Sequence, residues 1–386
     1  MPWIARRTTL RTIPLLRLRL AEVTGDPASS KAEDARLSVG GSVLSPRVVR
    51  LPGSVARSFQ GGAALKEWST LQVHMASLGR LAFVVVTASF LGLPVCAQDL
   101  APRAYVVTPL HSNAITLTYS YSTGNLDVGN LPIKDAKANA SIPVVSLFHS
   151  INFFGRTATV VASLPYGVAD FQGSVLGSET TTHRSGLLDS SYRFSVNLKG
   201  GPSMTPRQYR DWRQKTLIGV SLRVVAPTGQ YDPTKLINWG NNRWGFKPEI
   251  GLSRRWGHWV LDGYGGAWFY TTNPEFFSKN QYNPHITTQS QAPIGAFEGH
   301  LSYDVKPRFW ASLDGNFWFG GETSLNGVEN PSSQLRSSRI GGTVSIPISQ
   351  HQSIKFSYSN GAYVKYGGDF QNVSVAWQYS WLGHPR

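Results

Sequence analysis

The sequence carries one cysteine, three methionines and charged side chains at only 15% of its 386 positions. A single cysteine excludes a disulfide scaffold and a cysteine-based metal cluster. Charge this sparse lies well below the roughly 25% of an ordinary soluble domain and rules out a coiled coil or a disordered tail. Long hydrophobic runs are missing too: no stretch reaches the ~18 consecutive apolar residues that a spanning helix needs, which removes helical membrane proteins. No histidine pair stands beside a glutamate with the spacing of a helical metal motif, and Gly173, Gly177 and Gly186 follow no strand-to-helix pattern that would cradle a phosphate. Neither a metal nor a cofactor is expected.

What is abundant points to strands. The chain holds 38 Gly, 23 Pro and 12% aromatic residues, 12 of them Trp, a usage that favours short extended segments and turns over helices. Basic residues outnumber acidic ones by 37 to 22, a surplus that raises the question of nucleic acid. Residues 1–97 hold 12 of the basic and 5 of the acidic residues, and the rest scatter along alternating stretches with no basic helix. No nucleic-acid partner is expected.

The first hundred residues read as two segments. Residues 1–74 are rich in Arg, Ser, Gly and Pro, with no sustained period of 2 or 3.6, and are read as unstructured. Met75 opens a different pattern: a short stretch ending in Arg80, an apolar run from Leu81 to Leu93, the breaker Pro94, and Val95-Cys96-Ala97 before Gln98. Residues 75–97 therefore read as a secretory signal peptide cleaved after Ala97, which removes the single cysteine. Translation from Met75, with residues 1–74 an upstream extension assigned in error, explains why an export signal stands so far from the start. A genuine long presequence, or a transit peptide built on Arg6, Arg7, Arg11, Arg17 and Arg19, is the alternative.

Residues 98–386 form a ladder of alternating stretches. Ile115, Leu117, Tyr119 and Tyr121 oppose Thr116, Thr118 and Ser120; Val373, Val375, Trp377, Tyr379 and Trp381 oppose Asn372, Ser374, Gln378 and Ser380. Period 2 with one apolar and one polar face is the mark of a half-buried strand. About twelve such stretches occur, near 113–122, 142–154, 157–165, 186–199, 214–226, 246–256, 258–270, 292–304, 307–319, 337–347, 351–360 and 370–381. Short connections make neighbours antiparallel. The odd-numbered connections, near 123–141, 166–185, 227–245, 271–291, 320–336 and 361–369, are long; four of the five even ones are tight, and 200–213 is the exception. Long-short alternation over an even strand count matches an antiparallel transmembrane β-barrel with short periplasmic turns and long outer loops.

Periodicity alone does not separate a soluble sandwich, whose apolar face is core, from a barrel whose apolar face meets lipid. Size and aromatic placement favour the barrel: Trp256, Trp259, Trp268, Trp310, Trp318, Trp377 and Trp381 gather towards strand ends, as interfacial girdles do. Strands near ten residues also match the 9 to 11 that a tilted crossing takes. The polar face then lines the lumen, and Arg193, Arg223, Glu249, Asp262, Glu298, His300, Arg308 and Asp314 are the candidate lining residues. Glu298, His300 and Ser302 also alternate on one strand, which suggests a serine hydrolase, but side chains at i and i+2 stand ~7 Å apart at the ~3.3 Å rise per residue. A polar lumen network is the better account, and no enzyme is expected.

The stretch Ala226-Pro227-Thr228-Gly229-Gln230-Tyr231-Asp232-Pro233, followed by Leu236, Asn238, Gly240, Asn241, Arg243, Trp244 and Phe246, resembles the outer-membrane transporter-like family of meta-pathway phenol-degradation proteins. The likeness is densest over 217–270 and extends across most of 98–386. It implies a barrel of the Gram-negative outer membrane connected with aromatic or hydrophobic compounds, and it supplies no catalytic residues and no substrate. Pro227, Thr228, Gly229, Tyr231, Asn238 and Trp244 form the loop motif, read either as loop architecture or as a ligand contact through 238–244. The expectation is a monomeric barrel in outer-membrane lipid that passes small solutes passively; an occluded structural or adhesive barrel and an outer-membrane lipid hydrolase are the alternatives.

Overall fold

Polar-apolar alternation becomes an almost unbroken set of strands in the computed structural model, which describes residues 101–127, 133–175 and 178–383. The expectations for 1–74 and 75–97 lie outside the described residues. In chain order the strands are β1 (Ser112–Asp127), β2 (Ile133–Phe153), β3 (Arg156–Val175), β4 (Ser178–Leu187), β5 (Ser190–Lys199), β6 (Thr216–Ala226), β7 (Gly245–Trp256) and β8 (Trp259–Tyr270). They continue as β9 (Gln289–Gln291), β10 (Ile294–Lys306), β11 (Phe309–Gly320), β12 (Thr323–Leu325), β13 (Val328–Asn330), β14 (Leu335–Pro347), β15 (Gln352–Val364) and β16 (Gly367–Leu382). One short helix, Pro206–Asp211, follows β5.

Each long strand pairs antiparallel with its neighbours in sequence, and β1 pairs with β16 from Ser112↔Leu382 to Asp127↔Gly367, so the sheet closes on itself. β4 and β5 both lie against β3, interrupted only at Leu188-Asp189, and act as one stave. The result is a closed barrel of 12 staves. β9, β12 and β13 form a separate small sheet.

Alternation sorts the side chains. On β11, Leu313, Phe317 and Phe319 are exposed on the outside while Ser312, Asp314 and Asn316 are buried inside. The same outward exposure holds for Leu117 and Tyr119 on β1, Ile250 and Leu252 on β7, and Val373 and Val375 on β16. A continuous apolar belt of this extent is stable only against another apolar medium, here lipid tails. The tight turn between β2 and β3 shows how the staves reverse: Phe154 (φ 49°) and Gly155 (φ 77°) both take positive φ, the primed-turn geometry that matches strand twist.

Two expectations change. Of the six long outer connections, 123–141, 166–185 and 361–369 are largely strand: β1 and β2 run on to Asp127 and from Ile133, β3 and β4 leave only two residues between them, and β15 and β16 are separated by Lys365-Tyr366. Beyond the lipid both faces of a hairpin are wet, so pairing persists where the alternation that marks it disappears. Trp268, Trp310 and Trp318 do not belong to a girdle: Trp268 and Trp318 are buried inside against Val225, Ile294 and Ala296, and Trp310 lies under Arg103. Their parity with Asp262 on β8 and Asp314 on β11 sends them inward. Trp256 and Trp259 remain exposed outside.

Leu313, 69% exposed near the middle of β11, tests the outward face. Leu313→Arg is expected to cost about 2 to 4 kcal/mol of unfolding free energy in phospholipid vesicles, measured by urea titration. A loss below about 0.5 kcal/mol would show that this face is not in lipid.

Candidate lumen site

The barrel interior is built by the inward members of β5 to β8, β10, β11 and β14. Glu249 on β7 lies at the centre of a chain of ion pairs: Arg193 Nη2 reaches its Oε1 at 3.0 Å, and Lys247 Nζ reaches its Oε2 at 2.7 Å. Lys247 also pairs with Glu298 Oε1 at 2.9 Å. Glu298 Oε2 stands 3.7 Å from His300 Nε2, and His300 Nδ1 bonds Asp314 Oδ1 at 2.9 Å. Thr343 donates to Asp314 Oδ2 at 2.7 Å. Four strands, β5, β7, β10 and β11, thus place alternating signs side by side, each buried charge facing an opposite one.

The segment before β1, residues 101–111, runs inside the barrel and joins this chain. Tyr105 Oη donates to Glu249 Oε1 at 3.0 Å and bonds Ser221 Oγ at 3.1 Å, and the Arg193 guanidinium lies 4.9 Å from the centre of its ring. Gly219 and Gly251 make room for that ring; a methyl group on either would collide with it. Ala104 N donates to Tyr264 Oη at 3.0 Å, and Arg103 N donates to Asp262 Oδ2 at 3.3 Å. Arg103 also pairs with Asp304, which Arg255 holds from the other side, and stacks over Trp310. Val107 packs against Met204 and Leu217.

At the other end, residues 227–244 fold inward. Asp189, buried in the break between β4 and β5, accepts from Gly229 N at 2.9 Å and Asn241 N at 2.8 Å. Gly229 and Gly240 then touch backbone to backbone, where any side chain would meet main-chain atoms at 2.7 to 2.8 Å. Thr228 Oγ1 accepts from Ser190 N, Asn238 Oδ1 accepts from Asp232 N, and Tyr231 Oη donates to Glu275 O. Burial raises the Tyr231 hydroxyl above its ordinary pKa, so this donor stays protonated. Pro227 and Trp244 are exposed at the two ends, Trp244 stacking on Phe246.

Beside the inward-folded residues 227–244 lies a cavity of about 340 Å³ bordered by Arg193, Arg223, Arg339, Asp189, Trp239 and Phe370, among others. The structure therefore gathers Arg193, Glu249, Glu298, His300 and Asp314 in one network, sets Asp262 on the Arg103 backbone, and leaves Arg223 on the cavity wall. Arg308 is a correction: it follows Pro307 in the turn between β10 and β11 with φ 67°, is exposed, and donates to the carbonyls of Ser349, Gln350 and Gln352. A proline before a positive-φ residue makes a tight turn, which takes Arg308 off the strand parity that assigned it to the lumen. Ser302 Oγ is buried inside without a hydrogen-bond partner, and His300 is committed to Asp314. Among the described residues no group of three or more His, Cys, Asp or Glu is arranged to hold a metal ion.

Sequence reasoning missed Tyr105, Arg103 and Asp189, while Trp239 lies in the 238–244 segment read as a possible ligand contact.

Residues 115–377 match the family described as "Putative MetA-pathway of phenol degradation". No curated protein matches the sequence. In fold the chain is similar to the COG4313 outer membrane channel from Pseudomonas putida F1, at a TM-score of 0.62 and 17% identity, over 73% of this chain and 100% of that one. The transport unit of the autotransporter AIDA-I from Escherichia coli superposes at a TM-score of 0.46 and 13% identity, over 78% of this chain and 99% of that one.

Lys247 holds two carboxylates, so Lys247→Met is expected to lower unfolding free energy by about 3 kcal/mol or more, because Glu298 loses the nearer of its two partners and Glu249 one of two. Lys247→Arg should retain most of it. Equal urea midpoints for wild type and Lys247→Met would contradict the network.

Proposed function

The chain belongs to that phenol-degradation family, and from this premise and the lumen geometry we propose that it is a passive outer-membrane channel for small molecules, closed at rest by residues 101–111. The observation that carries the reading is the combination of an apolar outer belt with a polar interior that holds a cavity of about 340 Å³. Closure rests on side-chain contacts rather than on the sheet: Tyr105 and Arg103 hold the segment through hydrogen bonds, one ion pair and two cation-π contacts. The cavity wall offers Phe171, Trp239 and Phe370 as flat apolar surface, which suits small compounds with an aromatic body. Passage needs no catalysis, and because its edges are closed within one chain the barrel needs no partner to complete its sheet.

An occluded barrel acting through its outer loops is the second reading, favoured by the depth at which residues 101–111 are tied in. Conductance separates the two. Tyr105→Ala combined with Arg103→Ala is expected to raise single-channel conductance in planar bilayers several-fold over a low wild-type value. If this variant and a deletion of residues 101–108 both fold and neither conducts, the occluded reading holds and the channel does not.

A further inference from the structure

The cavity beside Trp239 is electrostatically lopsided. Arg193, Arg223 and Lys247 stand in one register row, Arg193 opposite Arg223 and Arg223 opposite Lys247 on neighbouring strands. Like charges directly opposite one another destabilise a sheet unless something compensates. Arg193 is matched by Glu249, and Lys247 by Glu249 and Glu298. Arg223, between them, has no hydrogen-bond or carboxylate partner among the described residues, and its side chain borders the cavity. The acid on the cavity wall, Asp189, does not answer it: its two oxygens are taken by Gly229 N and by the backbone and side-chain nitrogens of Asn241. A third guanidinium, Arg339, borders the same space and donates to Ser359 Oγ at 3.3 Å.

The remaining wall is of another kind. Phe171, Leu188, Trp239 and Phe370 supply apolar and aromatic surface, with serine and threonine hydroxyls from β1, β2 and β16 between them. A volume of about 340 Å³ lies at the small end of ligand pockets, large enough for one ring and a short substituent. A planar guanidinium without a partner, beside an aromatic wall, is the complement of a flat carboxylate on an apolar body.

We propose that this cavity is a binding site for small aromatic monocarboxylates, with the carboxylate on Arg223 and the ring against Trp239 and Phe370. The proposal rests on the channel reading and narrows it, since a solute held at this point lies inside the barrel against its inward-facing residues. Binding supplies the negative charge that the Arg193-Arg223-Lys247 row lacks. A neutral molecule of the same shape fills the apolar wall but leaves Arg223 as it was.

The test uses the full chain refolded in detergent and isothermal titration with benzoate and with benzyl alcohol, its neutral counterpart. Benzoate is expected to bind about tenfold or more tightly than benzyl alcohol, a preference worth one charge-assisted pair. Arg223→Gln should remove that preference, and Arg223→Lys, which keeps the charge but not the planar fork, should keep part of it. Unboiled gel mobility establishes that each variant is folded. Absence of benzoate binding, equal binding of both compounds, or an unchanged preference in folded Arg223→Gln would overturn the assignment. Conductance of the Tyr105→Ala, Arg103→Ala variant keeps the two readings distinct: if it conducts while benzoate does not bind, the channel stands and this site fails.

Discussion

Everything in this molecule depends on the pairing of its first long strand with its last. A backbone amide or carbonyl facing hydrocarbon without a partner costs several kcal/mol, so a sheet placed in lipid has to leave no edge. The ladder from Ser112↔Leu382 to Asp127↔Gly367 removes both edges at once. Once closed, the barrel fixes inside and outside for every residue, because side chains alternate and the register admits no slip without turning the apolar belt inward. The polar interior then follows from topology.

That interior has to be neutralised within its own walls. Charges forced inward by parity on four strands find partners in a chain from Arg193 through Glu249, Lys247 and Glu298 to His300 and Asp314. The chain is not self-sufficient. Tyr105 bonds Glu249 and Ser221, and Arg103 shares Asp304 with Arg255, so the segment ahead of β1 completes the polar bonding of the wall it occupies. The segment is thus held by side-chain, backbone and apolar contacts that lie apart from the β1–β16 ladder.

The staves were legible because period 2 needs only a difference between two faces, which lipid on one side and a polar lumen on the other enforce over ten residues or so. Tyr119 against Ser120 or Leu313 against Asp314 carries that difference in plain view. It vanishes where both sides meet water, which is why the outer parts of β1 to β4 read as loops. Trp268, Trp310 and Trp318 misled because residue type was weighed above parity. Arg308 misled for the opposite reason, since parity was carried into a turn where it no longer applies. The lumen segment 101–111 had no signature at all: Tyr105 and Arg103 are meaningful only beside Gly219, Gly251 and Asp304, which lie from about a hundred to two hundred residues away in the chain.

Closure of the sheet is the central claim, and its most direct measurement is electrophoretic mobility in dodecyl sulfate before and after boiling. A closed barrel resists the detergent until heated, so the unboiled protein should run as a compact band ahead of the boiled one. A single band of unchanged mobility, at neutral pH and with lipid-refolded protein, would mean that β1 and β16 do not close the sheet.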